Sequence, residues 1–362
     1  MSGINDRKAF QDDRDERLFG FDDAPVVQIP VRNGPISDIG VSPDGTRLVV
    51  ANHGRDTVSI LDADARRVVQ TITGIDEPFA IAVSGGASPR AYISTASSSY
   101  DSIDVVDLAT NARIATHPLA DRVSDLTVSA DGRFVYASRN GARGADVAVM
   151  DTTTDDFEVI GLDATPGTTA DCVRISTDGR HLYAATNGPS GGELVVIETG
   201  AQSDGRAGAE SRVVGAYELG LPIRDVALSN DGATAFVASC GPVVGAVLDV
   251  IDTRARKITG TRKLSELAGP LTRLALSRDG RRAYLVSDDR VAVVCTRTHD
   301  VIADIGAVNH SSCVVESPDG RYLYIAGHSG VVTVVPIAAG GGPAEASTTR
   351  LPALAQREPV LA

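Results

Sequence analysis

From residue 26 onward, short apolar runs alternate with clusters of Gly, Pro, Asn, Asp and Ser, and none has the spacing of a helix face. Ile36 to Val41, Leu48-Val49-Val50-Ala51, Val58-Ser59-Ile60-Leu61 and Val68-Val69-Gln70-Thr71-Ile72 are the first full set. They are rich in β-branched residues and bounded by turn formers, so they predict four strands. The turn after the first strand is Ser42-Pro43-Asp44-Gly45. There Pro43 presets φ, Asp44 can bond nearby backbone, and Gly45 tolerates positive φ.

The chain then repeats this unit. The turn returns as Ser129-Ala130-Asp131-Gly132, Ser176-Thr177-Asp178-Gly179, Ser229-Asn230-Asp231-Gly232, Ser277-Arg278-Asp279-Gly280 and Ser317-Pro318-Asp319-Gly320. A degenerate copy, Ile81-Ala82-Val83-Ser84-Gly85-Gly86, fills the one long gap, so successive serines lie 42, 45, 47, 53, 48 and 40 residues apart. Seven units of four strands and no helix predict an all-β fold, a seven-bladed β-propeller of four-stranded antiparallel blades. Each small sheet has two apolar faces that only its neighbours can cover, so the ring has to close. The last unit shows three strands ending at Ile337, and Val26–Val31 is expected to supply the fourth. Thr348-Thr349-Arg350-Leu351-Pro352 is the alternative. The domain reading is a disordered charged arm at 1–23, the propeller at 24–337 and a flexible tail at 338–362. Residues 200–211 read as an enlarged loop in the fourth unit.

Composition narrows the function classes. Lys plus Arg number 34 against 47 Asp plus Glu, a net charge of −13, which argues against nucleic acid because phosphates call for clustered basic side chains. No apolar run follows the charged N-terminus, and no stretch is long enough to span a bilayer, so a cytoplasmic protein with no membrane span is expected. Cys172, Cys240, Cys295 and Cys313 fall in four different units with no Cys-x-x-Cys pair, so they read as small buried hydrophobes. Asn140-Gly141-Ala142-Arg143-Gly144 and Gly188-Pro189-Ser190-Gly191-Gly192 precede strands, not helices, and so form neither a P-loop nor a dinucleotide fingerprint. No cofactor is expected.

Ser42 to Asn52, Thr57-Val58-Ser59-Ile60-Leu61-Asp62 and Gly74-Ile75-Asp76-Glu77-Pro78-Phe79-Ala80-Ile81-Ala82-Val83-Ser84 resemble the YVTN family of propeller repeats. The resemblance covers about residues 25–337 and lacks the Trp of WD repeats. It implies a seven-bladed propeller of a kind found in bacterial and archaeal proteins, surface-layer ones among them. Lactonases and haem-dependent enzymes share the propeller shape, but the chain has neither a Cys-x-x-Cys-His haem site nor a lactonase signature.

Closure brings the starts of the first strands to one mouth of the central channel. Four residues before each serine stand Asp38, Ala80, Asp125, Cys172, Asp225, Arg273 and Cys313. Two residues before it stand Gly40, Ala82, Thr127, Arg174, Ala227, Ala275 and Val315, mostly small, as crowding near the axis demands. The candidate site is therefore the channel mouth: Asp38, Asp125, Asp171, Arg174, Arg224, Asp225, Arg273 and His310. Three chemistries suit such a set. The side chains pair with one another and with backbone; or the carboxylates hold a hard cation such as Ca²⁺; or the arginines grip an anion. No His-x-x-x-His or His-Glu-x-x-His spacing supports zinc. The functional expectation is a non-enzymatic scaffold that presents the mouth face to a protein partner. The alternatives are a lactonase-type hydrolase of small molecules and a cation-binding propeller, both using that same face.

Overall fold

The computed structural model describes residues 25–86, 88–96, 100–142, 144–162, 165–200, 210–265, 267, 269–288, 290–306 and 310–337. The arm, the tail with its alternative closing strand, and most of the enlarged loop lie outside these residues. The strands form seven four-stranded sheets, each a blade. Blades one to six occupy 36–73, 81–119, 122–161, 169–218, 223–264 and 271–306, each running from an inner strand outward in sequence order. Blade seven takes its three inner strands from 311–336 and its outer strand from Val27–Pro30. The N-terminal strand thus closes the ring, as the sequence pattern predicts. It pairs antiparallel with Val331–Pro336, Val27 opposite Val334 and Pro30 opposite Val331. Among the described residues no helix is long and apolar enough to cross a membrane.

The core is a set of slabs between blades. Among the described residues there are seven clusters of buried apolar side chains, one at each seam. At the closing seam, Ile39, Leu48 and Val50 of blade one meet Cys313, Tyr324 and Val334 of blade seven, with Ile29 from the N-terminal strand. At the seam just before it, Val286 and Val293 of blade six pack on Val314, Leu323 and Ile325 of blade seven. Hydroxyl groups add bonds across the seams. Ser312 Oγ donates to the Ile36 carbonyl at 2.7 Å, and Ser37 Oγ to the Pro78 carbonyl at 2.8 Å.

The recurring turn is a small hydrogen-bonded unit. Ser42 Oγ donates to Asp44 Oδ1 (2.5 Å) and accepts the Arg47 N–H (2.9 Å), while Asp44 Oδ1 accepts the Thr46 N–H (3.0 Å). Gly45, at φ 74°, donates to the Ser42 carbonyl at 2.8 Å. The same Ser–Asp bond recurs at Ser129, Ser176, Ser229, Ser277 and Ser317. In blade two, where the Asp is missing, Ser84 Oγ still accepts the Arg90 N–H at 3.0 Å. The serine bond holds Asp44 and Asp231 below the usual carboxylate range, helped by the backbone donors. At Asp131, Asp178, Asp279 and Asp319 partial burial opposes, and the serine and backbone bonds outweigh it. The third-strand acids Asp62, Asp107, Asp151 and Asp252 likewise accept backbone N–H groups in the following turn. Glu198 pairs instead with Arg212 at 2.6 Å.

Two outcomes are expected. Ile29→Ala, at a position 2% exposed in the closing strand, should cost about 2–4 kcal/mol in urea denaturation. The six turn aspartates have folded pKa values below their unfolded ones, so their contribution is whole above the unfolded carboxylate pKa. It is lost as pH falls through the folded values. Unfolding free energy measured from about pH 5 down to about pH 2 should therefore decline, and more steeply than in a variant with several of these aspartates changed to Ala.

Candidate functional site

The inner strand of a blade is a sheet edge, and alternate N–H groups along it face the channel without a ladder partner. In six blades the pairing of the inner strand shifts by one residue just before the position four ahead of the serine: at Asp38, Asp125, Cys172, Asp225, Arg273 and Cys313. Such a bulge re-aims the side chain that follows it. The three aspartates use that aim to satisfy edge donors. Asp38 accepts the Ile39 N–H of its own blade and, through its other oxygen, the Ile81 N–H of blade two, both at 2.9 Å. Asp225 does the same for Val226 and for Leu274 of blade six, both at 2.8 Å. Asp125 accepts the Val173 N–H of blade four at 3.1 Å. A carboxylate, with two acceptor oxygens and no donor, is what two edge N–H groups from adjacent blades require.

Two arginines join these carboxylates into a belt. Arg174 bonds Asp125 through Nη1 and Asp225 through Nη2 (2.6 Å), and also donates to the Val173 carbonyl (2.7 Å). Arg273 Nη2 lies 2.9 Å from Asp38, while its Nη1 and Nε stand 3.8 and 4.0 Å from Asp125 and Asp225. The side chains of Asp38, Asp125 and Asp225 are 9%, 5% and 1% exposed, against 22% and 20% for Arg174 and Arg273. The carboxylates are thus committed to protein partners, and only the guanidinium edges reach the channel. Burial works to lower the pKa of both arginines, but the surrounding carboxylates outweigh it and hold both raised. Burial pushes the Asp38 carboxyl up, against the pull of Arg273. Its contribution to stability therefore declines as pH rises, opposite in sign to that of the turn aspartates.

The other three residues expected at the mouth stand apart from the belt. Asp171 and Arg224 occupy the bulges themselves and are exposed; Asp171 accepts a bond from Asn187 Nδ2 at 2.7 Å. His310 is exposed and pairs through Nδ1 with Asp288 at 3.0 Å. Neighbouring Asn309 lies outside the described residues. Sequence reasoning passed over Asn140 and Asn187, which clamp the next blade at the mouth. Each accepts a backbone N–H (from Ala170 and Ile223, 2.7 Å) and donates to the same residue's carbonyl (3.1 and 2.8 Å). The signal was available: both stand 11 residues after their serine.

This arrangement limits the chemistry. Among the described residues no three His, Cys, Asp or Glu side chains are grouped to hold a metal ion. Three carboxylates against two guanidiniums leave no excess positive charge to attract an anion. Burial pushes the Cys172 thiol well up and the Cys313 thiol to about 12, the wrong direction for a nucleophile. Asp225→Asn leaves Arg174 half-paired and turns an amide N–H₂ toward a backbone donor. It should cost about 3–5 kcal/mol in urea denaturation, whereas Asp171→Asn should stay within about 0.5 kcal/mol.

No family model matches the chain. It is similar to the seven-bladed β-propeller protein Rv1057 of Mycobacterium tuberculosis, at 54% identity over 361 residues, 93% of this chain and 92% of the relative. The fold is similar to that of Kuenenia stuttgartiensis hydrazine synthase, with a TM-score of 0.72 and 22% identity over 88% of this chain and 99% of the other. It is also similar to the Cps50 (Swd1) β-propeller domain of Myceliophteria thermophila, with a TM-score of 0.69 and 12% identity over 86% of this chain and 100% of the other. At those identities the two structures speak to fold alone. The relationship to the mycobacterial protein spans nearly both chains, and this chain belongs to the seven-bladed β-propeller proteins.

Proposed function

We propose that the protein is a non-enzymatic binding scaffold that presents its channel-mouth face to a protein partner, with blades of the YVTN-repeat type. The observation that carries this reading is a contrast on one face. The charged groups beneath the mouth are paired with each other and with backbone, while the loops around it expose apolar side chains. Val243 is 92% exposed at the tip of the hairpin Cys240–Gly245 in blade five, beside Val244 at 38%. Phe79 (47%) packs edge-on to His53, and Tyr100 is 51% exposed on the hairpin of blade two. Exposed apolar and aromatic side chains around paired charges suit a protein surface better than a small polar substrate. All four cysteines are free thiols, which suits a reducing compartment such as the cytoplasm.

The rival hydrolytic reading rests on the His310–Asp288 pair, a base with an orienting acid, at the same face. One set of variants separates the two. Val243→Asp with Val244→Asp, or Phe79→Ser, should abolish stoichiometric co-purification of a partner from the native host. Ile258→Ser, on an outer strand, should not. Turnover of lactones or esters by the pure protein, lost in His310→Ala and kept in the Val243 variant, would overturn the scaffold reading.

A further inference from the structure

The face opposite the mouth, where the Ser–x–Asp–Gly turns lie, has a cavity of about 160 Å³ at the seam between blade seven and blade one. It coincides with a break in the repeat. After the third-strand acid or its equivalent, blades three to six carry Thr152, Thr199, Thr253 and Thr296, whose hydroxyls donate to Gly132, Gly179, Gly232 and Gly280 carbonyls. Blade one has Ala63 at this position. At two seams the tyrosine of the preceding blade meets this threonine, a partner that Ala63 cannot offer to Tyr324. The Tyr92 and Tyr183 hydroxyls meet Thr152 and Thr253, and Tyr284 donates to Glu316 at 2.5 Å. Tyr324, only 3% exposed, has no hydrogen-bond partner for its hydroxyl among the described residues, and it lines the cavity.

The lining chooses the charge of a ligand. Asp44, Asp64 and Asp319 line it with carboxylates: Asp44 and Asp319 also serve their turns, Asp319 lies 3.6 Å from Arg321, and the guanidinium of exposed Arg66 is the cation of the lining. Arg66 lies 5.7 Å over the Tyr322 ring, and Tyr322 and Tyr324 stand 6.4 Å apart at 35°. An aromatic face, carboxylates and a largely buried tyrosine whose hydroxyl opens into the cavity favour a cation with N–H donors. A cavity of about 150 Å³ elsewhere accepts benzene, so this one has room for a guanidinium or ammonium head with a short alkyl chain. We propose that the seam cavity binds a small organic cation, an alkylguanidine or alkylamine, with its head over Tyr322 in place of Arg66 and hydrogen-bonded to Tyr324. This site is independent of the mouth face and of any partner there.

Butylguanidine, titrated into the full chain by calorimetry at low ionic strength, tests this. Saturable binding with Kd in the millimolar range or tighter is expected, with none for the neutral analogue butylurea. Ala63→Thr narrows the cavity beside Tyr324 with the residue that four other blades use, so its melting temperature should be no lower than wild type and its affinity at least tenfold weaker. Asp64→Asn, on an exposed turn, should weaken binding several-fold without touching the fold. Arg66→Ala removes the internal competitor and should tighten it. Absence of saturation with the wild type, equal binding of butylurea, or Ala63→Thr and Asp64→Asn variants that both bind like wild type would overturn the proposal.

Discussion

Seven small sheets converge on one axis, and each meets it with an unprotected edge. The N–H groups of that edge are the constraint on which the channel depends, because water in a narrow channel is their only other partner. The protein meets it with carboxylates at alternate blades. Asp38, Asp125 and Asp225 stand on blades one, three and five, and each reaches an N–H of the following inner strand. The capping group is therefore also a tie between blades. Three buried carboxylates alone would repel one another, and Arg174 and Arg273 on blades four and six supply the counter-charge. Alternation of acid and base around the ring follows from edge capping plus charge balance.

A channel built this way has little left for ligands. Its charges are paired within about 4 Å, its thiols are held protonated, and its carboxylates face backbone rather than solvent. Capacity for binding moves outward, to loops that no strand pairing constrains, and to places where the repeat is imperfect. The seam at Ala63 shows the second route. Where four blades spend a threonine on a turn carbonyl, blade one leaves space beside a tyrosine hydroxyl.

The fold was legible because its determinants are local and repeated. Serine spacing set the blade count, β-branched runs set the strands, and one isolated strand at Val26–Val31 marked the closure. The channel was half legible. An offset of four from the serine put Asp38, Asp125, Asp225 and Arg273 together, since closure brings equal offsets to equal heights, and Arg174, at an offset of two, stood out as the charged residue in a mostly small set. Asp171 and Arg224 stand apart from that set. They are sequence neighbours of belt residues, but the bulge spends them as the extra residue and turns them away from the belt. The seam cavity could not be read from one unit. It depends on a missing hydroxyl at Ala63 meeting Tyr324 across a junction between chain ends that lie more than 250 residues apart.

The claim that the belt's charges serve to hold the blades together is tested most directly by a double-mutant cycle on Arg174 and Asp225. Arg174→Met, Asp225→Asn and the pair are compared with wild type by urea denaturation at pH 7. A structural belt requires strong coupling, about 1.5–3 kcal/mol, because each group alone leaves the other buried and under-paired. Additive losses, or single variants as stable as wild type, would mean that the belt is dispensable to the fold and that its charges are kept for something else.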